Sequence, residues 1–302
     1  MAYRCLPTLG TALVLAVAAR AAAAHEIGTH ALQAEWTFDP FIVTPLCVVG
    51  LIYARGFSLV WRRARRGRRA MLLRAICFGT GWFALAGALI SPMHWLGEHL
   101  LFAHMVEHEI LMTIAAPMIV LARPAGVLLW GLPNPLRRST GRLMKVNAVQ
   151  ITWTWASAGL VATLMHGLAI WAFHAPILFD AAVTNDALHR LQHVSFFFTA
   201  ILFWWAICWR SNYGAATWHL VVTMLHTTAL GALMALAPRV LYLDQTRFTE
   251  AWHLTPLEDQ QLAGIIMWVP AGTIYAGAAL ATAALWILTS SRRSNDAQPL
   301  LH

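Results

Sequence analysis

The chain has 302 residues, of which 59% are hydrophobic and 11% are charged, and its mean hydropathy is +0.60. Soluble domains carry about 25% charged residues, so the composition excludes an ordinary water-soluble domain and predicts an all-α protein that crosses a membrane several times. The formal charge is +8 at pH 7. The basic residues are concentrated in a few loops, which argues against nucleic-acid binding.

Residues 1–24 are typical of a secretory signal peptide. A basic Arg4 precedes an apolar run and an alanine tract that ends at Ala24. This order of basic start, apolar centre and small residues predicts cleavage near Ala24, after which residues 25–39 form a periplasmic N-terminal segment. An uncleaved first span is the alternative, because Arg20 lies just before the alanines.

Seven apolar runs follow, and each is close to the roughly 20 residues that a helix needs to cross a bilayer. They predict seven transmembrane helices in a membrane domain over residues 40–290, followed by a cytoplasmic tail over residues 291–302. The runs cover residues 40–61, 71–90, 100–122, 150–173, 187–209, 216–237 and 260–288. Pro117 lies inside the third run, where a proline removes a backbone hydrogen bond and is expected to kink the helix.

Loop charges predict the orientation, because cytoplasmic loops of membrane proteins are enriched in Lys and Arg. The segments after the first, third, fifth and seventh runs hold most of the basic residues, including a cluster from Arg62 to Arg69. These segments share one side of a seven-span protein. We therefore expect the mature N-terminus outside and the C-terminus in the cytoplasm, with the arginine cluster as a topology signal that contacts anionic lipid.

The third run contains two histidines, His104 and His108, that are four residues apart and therefore share a helix face. Ionisable side chains are costly inside a bilayer, and for that reason they indicate a functional site. The fifth run opens with a second pair of the same spacing, His189 and His193. With the predicted orientation, both pairs lie in the outer half of the membrane.

The histidines of the outer half predict metal or haem ligation, because imidazole binds copper, zinc, iron and nickel and an i, i+4 pair can hold one ion. The predicted ligands are His104, His108, His166, His174, His189 and His193. Glu107 is a candidate acceptor that fixes the tautomer of an imidazole. Met105 and Met112 offer thioethers near the third run's histidines, and thioether favours Cu(I).

Several other chemistries lack their sequence signatures. The chain has no P-loop, no HExxH metalloprotease motif, no GxSxG elbow and no CxxCH for covalent haem attachment. Its four cysteines are scattered and form no CxxC pair, so neither a disulfide framework nor a cysteine metal site is expected. We do not expect an enzyme.

The third run resembles the hallmark segment of the multi-span CtaG family of cytochrome c oxidase assembly factors. The matching residues are His104-Met105-x-x-His108, Leu111-Met112, Ala115-Ala116-Pro117 and Leu121-Ala122-Arg123-Pro124. Supporting matches are His166 to His174-x-Pro176, the pair His189-x-x-x-His193 and the loop from Leu241 to Gln260. The resemblance covers residues 36–290. It departs from the family at Glu107, where a neutral residue such as Gln is expected.

The resemblance implies a bacterial plasma-membrane protein that helps to mature haem-copper cytochrome oxidase through its copper centres. It implies that the six histidines handle copper, as Cu(I), at the periplasmic side and pass it to an oxidase subunit or a periplasmic copper chaperone. Three alternatives stay open: a b-type haem electron carrier that uses the same residues, a copper permease that also needs polar or Met ligands in the inner half of the membrane, and an assembly partner whose histidines only pack. Nothing in the sequence specifies an oligomeric state.

Overall fold

The structure, a computed structural model, describes residues 35–296, with side chains up to residue 291. The predicted signal peptide, its cleavage near Ala24, most of the N-terminal segment and residues 297–302 of the tail lie outside the described residues. The described part of the chain is almost entirely helical and contains no strand. The prediction of an all-α membrane protein with several spans is confirmed.

Six helices are long and apolar enough to cross a membrane, and a bent pair of helices makes a seventh crossing. The unbroken spans are Pro40–Arg63 (span 1), Arg68–Ile90 (span 2), Leu101–Ala122 (span 3), Asp186–Trp209 (span 5), Tyr213–Ala235 (span 6) and Pro256–Ser291 (span 7). Span 4 consists of Asn147–Ala156 and Gly159–Phe173, which meet at 70°. Each predicted run therefore corresponds to a helix, but the fourth is bent where a straight span was expected.

Shorter helices connect the spans. Pro92–His99, the cover helix, joins spans 2 and 3, and the 3₁₀ helix Gln245–Trp252, the loop helix, precedes span 7. The remaining connecting helices are Ala125–Gly131, Asn134–Leu143 and Pro176–Thr184.

Side-chain caps determine where several spans begin. Asp39 accepts a hydrogen bond from the N–H of Phe41 at 2.8 Å, at the start of span 1. Thr255 and Glu258 form a reciprocal capping box at the start of span 7, since each accepts a hydrogen bond from the N–H of the other. These contacts satisfy N–H groups that have no acceptor within their own helix.

Span 3 is capped by a different span. Its N-cap residue, Leu100, makes no side-chain capping bond. The carboxylate of Asp259 in span 7 accepts hydrogen bonds from the N–H groups of Leu101 at 2.8 Å and Phe102 at 3.0 Å. Spans 3 and 7 are therefore joined where span 3 begins.

Span 3 is the buried centre of the bundle. In its most apolar stretch 67% of the residues are buried, against 17–44% in the other unbroken spans. The span contains a π-helical segment, Ile110–Ala115, between two α-helical parts. In this segment the N–H of Ala116 bonds to the carbonyl of Leu111, five residues earlier. The same pattern would pair the carbonyl of Met112 with the N–H of residue 117, but Pro117 has no N–H.

The indole of Trp204 in span 5 donates a hydrogen bond to that carbonyl of Met112 at 2.8 Å. The disturbance expected at Pro117 therefore appears as a π-helical segment with a side-chain partner from a neighbouring span. Span 3 remains one continuous crossing.

The two ends of the bundle differ in charge. The starts of spans 1, 3, 5 and 7 meet the ends of spans 2, 4 and 6 at one end, which we call the histidine end; the opposite end is the arginine end. Acidic residues within 35–291 all lie at the histidine end or in the adjoining halves of spans: Glu35, Asp39, Glu98, Glu107, Glu109, Asp180, Asp186, Asp244, Glu250, Glu258 and Asp259. The arginine end holds Arg55, Arg62, Arg63, Arg65, Arg66, Arg68, Arg69, Arg74, Arg123, Arg137, Arg138, Arg142, Lys145 and Arg210.

Candidate metal centre

Two histidine pairs meet inside the histidine end. The ring centroids of His104 and His108 in span 3 are 4.3 Å apart. The ring of His104 lies 5.2 Å from that of His189 and 5.6 Å from that of His193, and the ring of His108 lies 5.2 Å from that of His193. Spans 3 and 5 are therefore neighbours, and the two pairs found in the sequence lie together.

His174 joins this group from the end of span 4. Its ring centroid is 5.8 Å from that of His108. Its Nδ1 donates a hydrogen bond to the carbonyl of Ile170 at 2.7 Å, which leaves Nε2 unprotonated in the neutral ring and able to bind a metal. The hydroxyl of Tyr242 donates to the carbonyl of His174 at 2.8 Å and fixes the end of span 4. We call His104, His108, His174, His189 and His193 the histidine cluster.

Seven ring nitrogens of the histidine cluster are buried without a hydrogen-bond partner among the described residues. They are both nitrogens of His104 and of His108, and Nε2 of His174, His189 and His193. Each unsatisfied buried polar group costs about 1–3 kcal/mol, so such groups rarely occur together unless they serve a ligand. One nitrogen each from His104, His189 and His193 lie within 4.8 Å of one another, a spacing that a single metal ion can bridge.

Glu107 supports the cluster from the same helical turn. One carboxylate oxygen accepts a hydrogen bond from Nδ1 of His94 at 2.9 Å, and the other lies 3.7 Å from Nδ1 of His104. His94 belongs to the cover helix, and its ring lies 5.8 Å from that of His189 and 6.0 Å from that of His193. Glu107 thus accepts from an imidazole, as its predicted role requires, but that imidazole is His94.

His94 lies between the second and third predicted runs, where a loop is expected, yet it is only 5% exposed. Gly97 allows the cover helix to approach span 3 so closely, because a Cβ at Gly97 would lie 2.7 Å from Oε2 of Glu107. The sequence pattern that could have drawn attention to His94 is its i, i+4 spacing from Glu98. Burial alone lowers the pKa of His94, but the hydrogen bond and charge of Glu107, with the charges of Glu98 and Asp39, outweigh burial and raise that pKa.

His166 lies apart from the histidine cluster. Its Nδ1 is 3.0 Å from the hydroxyl of Thr199, its Nε2 is 3.4 Å from the hydroxyl of Tyr275, and its ring stacks on Phe203. Hydroxyl groups therefore occupy both ring nitrogens. The structure does not bring His166 together with the other five histidines, and its role as a metal ligand stays a prediction.

Met105 and Met112 lie in the main hydrophobic core and are almost completely buried. Successive residues of a helix are about 100° apart, so Met105 points away from the face that carries His104. The structure gives both methionines a packing role, and a thioether contribution to the site stays a prediction.

Comparison with known proteins identifies a family. The family described as cytochrome c oxidase caa3 assembly factor matches residues 51–289. The chain is 27% identical over 248 residues to the uncharacterized proteins Mb0105 of Mycobacterium bovis and MT0111 of Mycobacterium tuberculosis. It is 26% identical over 249 residues to the uncharacterized protein ML1998 of Mycobacterium leprae.

These alignments cover 77% of this chain and 36% of each relative, so the chain spans about a third of the length of the curated relatives it matches. No solved structure matches the chain. The family match, in contrast, includes every residue of the histidine cluster and the cover helix. This multi-pass membrane protein belongs to the Caa3_CtaG family of cytochrome c oxidase caa3 assembly factors.

Proposed function

We propose that the histidine cluster binds copper and releases it to a haem-copper cytochrome c oxidase during assembly. The observation that carries this proposal is the set of seven buried ring nitrogens without a partner in the part of the chain that the structure describes, in a cluster where one nitrogen each of His104, His189 and His193 are spaced for one ion. Imidazole suits copper among other transition metals. The choice of copper among these metals comes from the family, whose members assist the assembly of an oxidase that contains copper.

The proposed chemistry is ligand exchange. His104, His189 and His193 hold the ion, and His108 and His174 supply further nitrogens beside them. Because the cluster has more donors than one ion needs, the ion can change ligands stepwise, and a donor from a partner protein can replace one histidine. No covalent bond of a substrate is made or broken, so the protein acts as a carrier.

The compactness of the cluster favours an ion over haem. Two axial histidines of a haem lie on opposite faces of a wide macrocycle. Here three ligand nitrogens from three histidines lie within 4.8 Å of one another. This spacing fits a single ion with several imidazole ligands.

The direction of transfer follows from the predicted orientation. With the histidine end toward the periplasm, the site lies on the same side as the proposed recipient, an oxidase subunit or a periplasmic copper chaperone. The acidic residues of that end favour the approach of cations, because clustered charges of one sign raise the local concentration of ions of the opposite sign.

Copper analysis of the purified full chain tests the proposal. We expect the wild-type protein, loaded with Cu(I) without oxygen or with Cu(II) and then freed of excess metal, to retain copper. The double variant His104→Ala/His193→Ala should retain almost none. His219→Ala is the matched control, since His219 is an intramembrane histidine that bonds to Thr163 outside the cluster.

Three results would contradict the proposal. Equal copper in the double variant and the wild type would remove the site assignment. A Soret absorption band in the purified protein would favour the haem carrier. Full oxidase activity in cells that accumulate the double variant would show that the histidines serve packing alone.

A further inference from the structure

Most of the histidine cluster is shielded from solvent, although His189 is partly exposed with its Nε2 buried. His104 is 1% exposed, His108 is not exposed and His174 is 2% exposed. A cargo ion must therefore contact other side chains before it reaches them. The cover helix lies at this position, because it packs on the start of span 3 and contacts the loop helix.

Two side chains of the cover helix connect the cluster with solvent. His94 and Glu98 are one helical turn apart and share a face. Their side chains are 6% and 45% exposed, respectively. Nε2 of His94 lies 3.7 Å from Oε1 of Glu98, which is too long for a hydrogen bond but close to the separation of two ligand atoms that are each about 2.0–2.2 Å from one ion.

The other edge of the His94 ring is held in place. Its Nδ1 bonds to Oε1 of Glu107 at 2.9 Å, so that Nε2 is directed to Glu98. A carboxylate that holds one imidazole nitrogen while the other binds metal is a recurring arrangement at metal sites. The ring of His94 stacks on that of His189 at 5.8 Å with 17° between the planes, so His189 is the next ligand inward.

Charge around the pair also favours a cation. Glu98 interacts electrostatically with Asp186 of span 5. Arg190, the basic residue beside them, is bonded to Asp39 at 2.6 Å and lies 3.9 Å from the carboxylate of Asp186, so it is not paired with Glu98. The negative charge of Glu98 is therefore only partly neutralised, and it faces solvent.

We propose that His94 and Glu98 form a receiving site for divalent copper, from which the ion passes through His189 into the histidine cluster. One imidazole nitrogen and one carboxylate oxygen are suitable ligands for Cu(II). A site with two protein ligands holds the ion weakly enough to release it inward. This inference rests on the proposed function, because it requires the cluster to bind copper.

Loading kinetics of the full chain test the receiving site. Cu(II) alone is mixed rapidly with the purified protein, and loading is followed by quenching of tryptophan fluorescence; final copper content is measured separately. We expect Glu98→Gln to load about tenfold more slowly, because it removes a charge that attracts the ion and a ligand that holds it, and to reach the wild-type copper content. His94→Gln should slow loading as well.

Glu250→Gln is the matched control, since Glu250 is an exposed acid of the loop helix at the same end. It should load at nearly the wild-type rate. Wild-type loading by Glu98→Gln would overturn the receiving site, and so would a lower final copper content in that variant. Absence of copper from the wild type would instead remove the proposed function, so the two failures are distinguishable.

Discussion

The two ends of the bundle differ in where their charged side chains are placed. At the arginine end the guanidinium groups stay near the surface and contact aromatic rings. Arg63 and Arg137 lie 5.0 and 4.6 Å from the ring centroid of Trp130, and Arg123 lies 3.3 Å from that of Trp209. Such contacts let charged groups remain solvated while their side chains cover apolar surface.

At the histidine end, by contrast, ionisable groups are buried. Glu107, Asp259 and His108 are completely inaccessible. Glu107 and Asp259 have hydrogen-bond partners, but both ring nitrogens of His108 are buried with none among the described residues, and this arrangement works against stability. The contrast teaches that the number of charges at an end predicts membrane orientation, whereas burial of polar groups marks the functional site.

We expect the largest effect, a loss of copper affinity, from Gly97→Ala at the histidine end. The added Cβ would lie 2.7 Å from Oε2 of Glu107 and 3.3 Å from Cα of His104, so the cover helix must move away from the cluster. Loss of such a supporting contact weakens metal binding about 10–100-fold. Competition with a copper chelator measures the change.

Gly87→Ala is the control for this substitution, because a Cβ at Gly87 has no neighbour within 4 Å. Its copper affinity should equal that of the wild type. Equal affinity of the Gly97→Ala protein would mean that the cover helix does not support the cluster.

Asp259→Asn should lower the free energy of unfolding by about 1–3 kcal/mol, because an amide has one acceptor oxygen for the two N–H groups that the carboxylate now caps. Thermal unfolding in detergent should show a lower Tm. Glu250→Gln removes an exposed charge at the same end and should leave Tm unchanged. Similar Tm values for both variants would remove the assigned role of the cap.

Trp204→Phe should cost about 1 kcal/mol, since the variant keeps the ring but loses the donor to the carbonyl of Met112. Thermal unfolding again measures the effect. Trp218→Phe serves as the comparison, because Trp218 is 66% exposed. A larger loss of stability in Trp218→Phe would contradict the role assigned to the π-helical segment.

Arg65→Gln/Arg66→Gln at the arginine end should have the smallest effect. Both residues are exposed, and surface substitutions of this kind change stability by about 0.5 kcal/mol or less. Copper content and Tm should match the wild type. A fall in copper content would show that the arginine end affects the site at the histidine end, which contradicts the separation of roles between the two ends.

Hydropathy predicted the number of spans and their approximate bounds, because an apolar run of about 20 residues directly reflects bilayer thickness. It did not predict the bend in span 4. The break falls at Ser157 and Ala158, inside one predicted apolar run. Local backbone geometry of this kind has no counterpart in an average over many residues.

The site was predictable where its pattern is local. The four-residue spacing in spans 3 and 5 depends only on helix geometry, and it identified both histidine pairs. His94 could not be placed the same way, because its burial depends on how the cover helix folds over Glu107. His166 was included on its depth in the membrane, but depth does not tell which neighbour a helix face meets.

The hydrogen bonds from span 3 to Asp259 also determine when, during synthesis of the chain, the start of span 3 is capped. The acceptor is synthesised 158 residues after Leu101, in span 7. Until then, two N–H groups at the start of span 3 lack their partner, at a cost of several kcal/mol within a bilayer. The turn that carries His104 is therefore capped only after Asp259 has been synthesised and span 7 has packed on span 3.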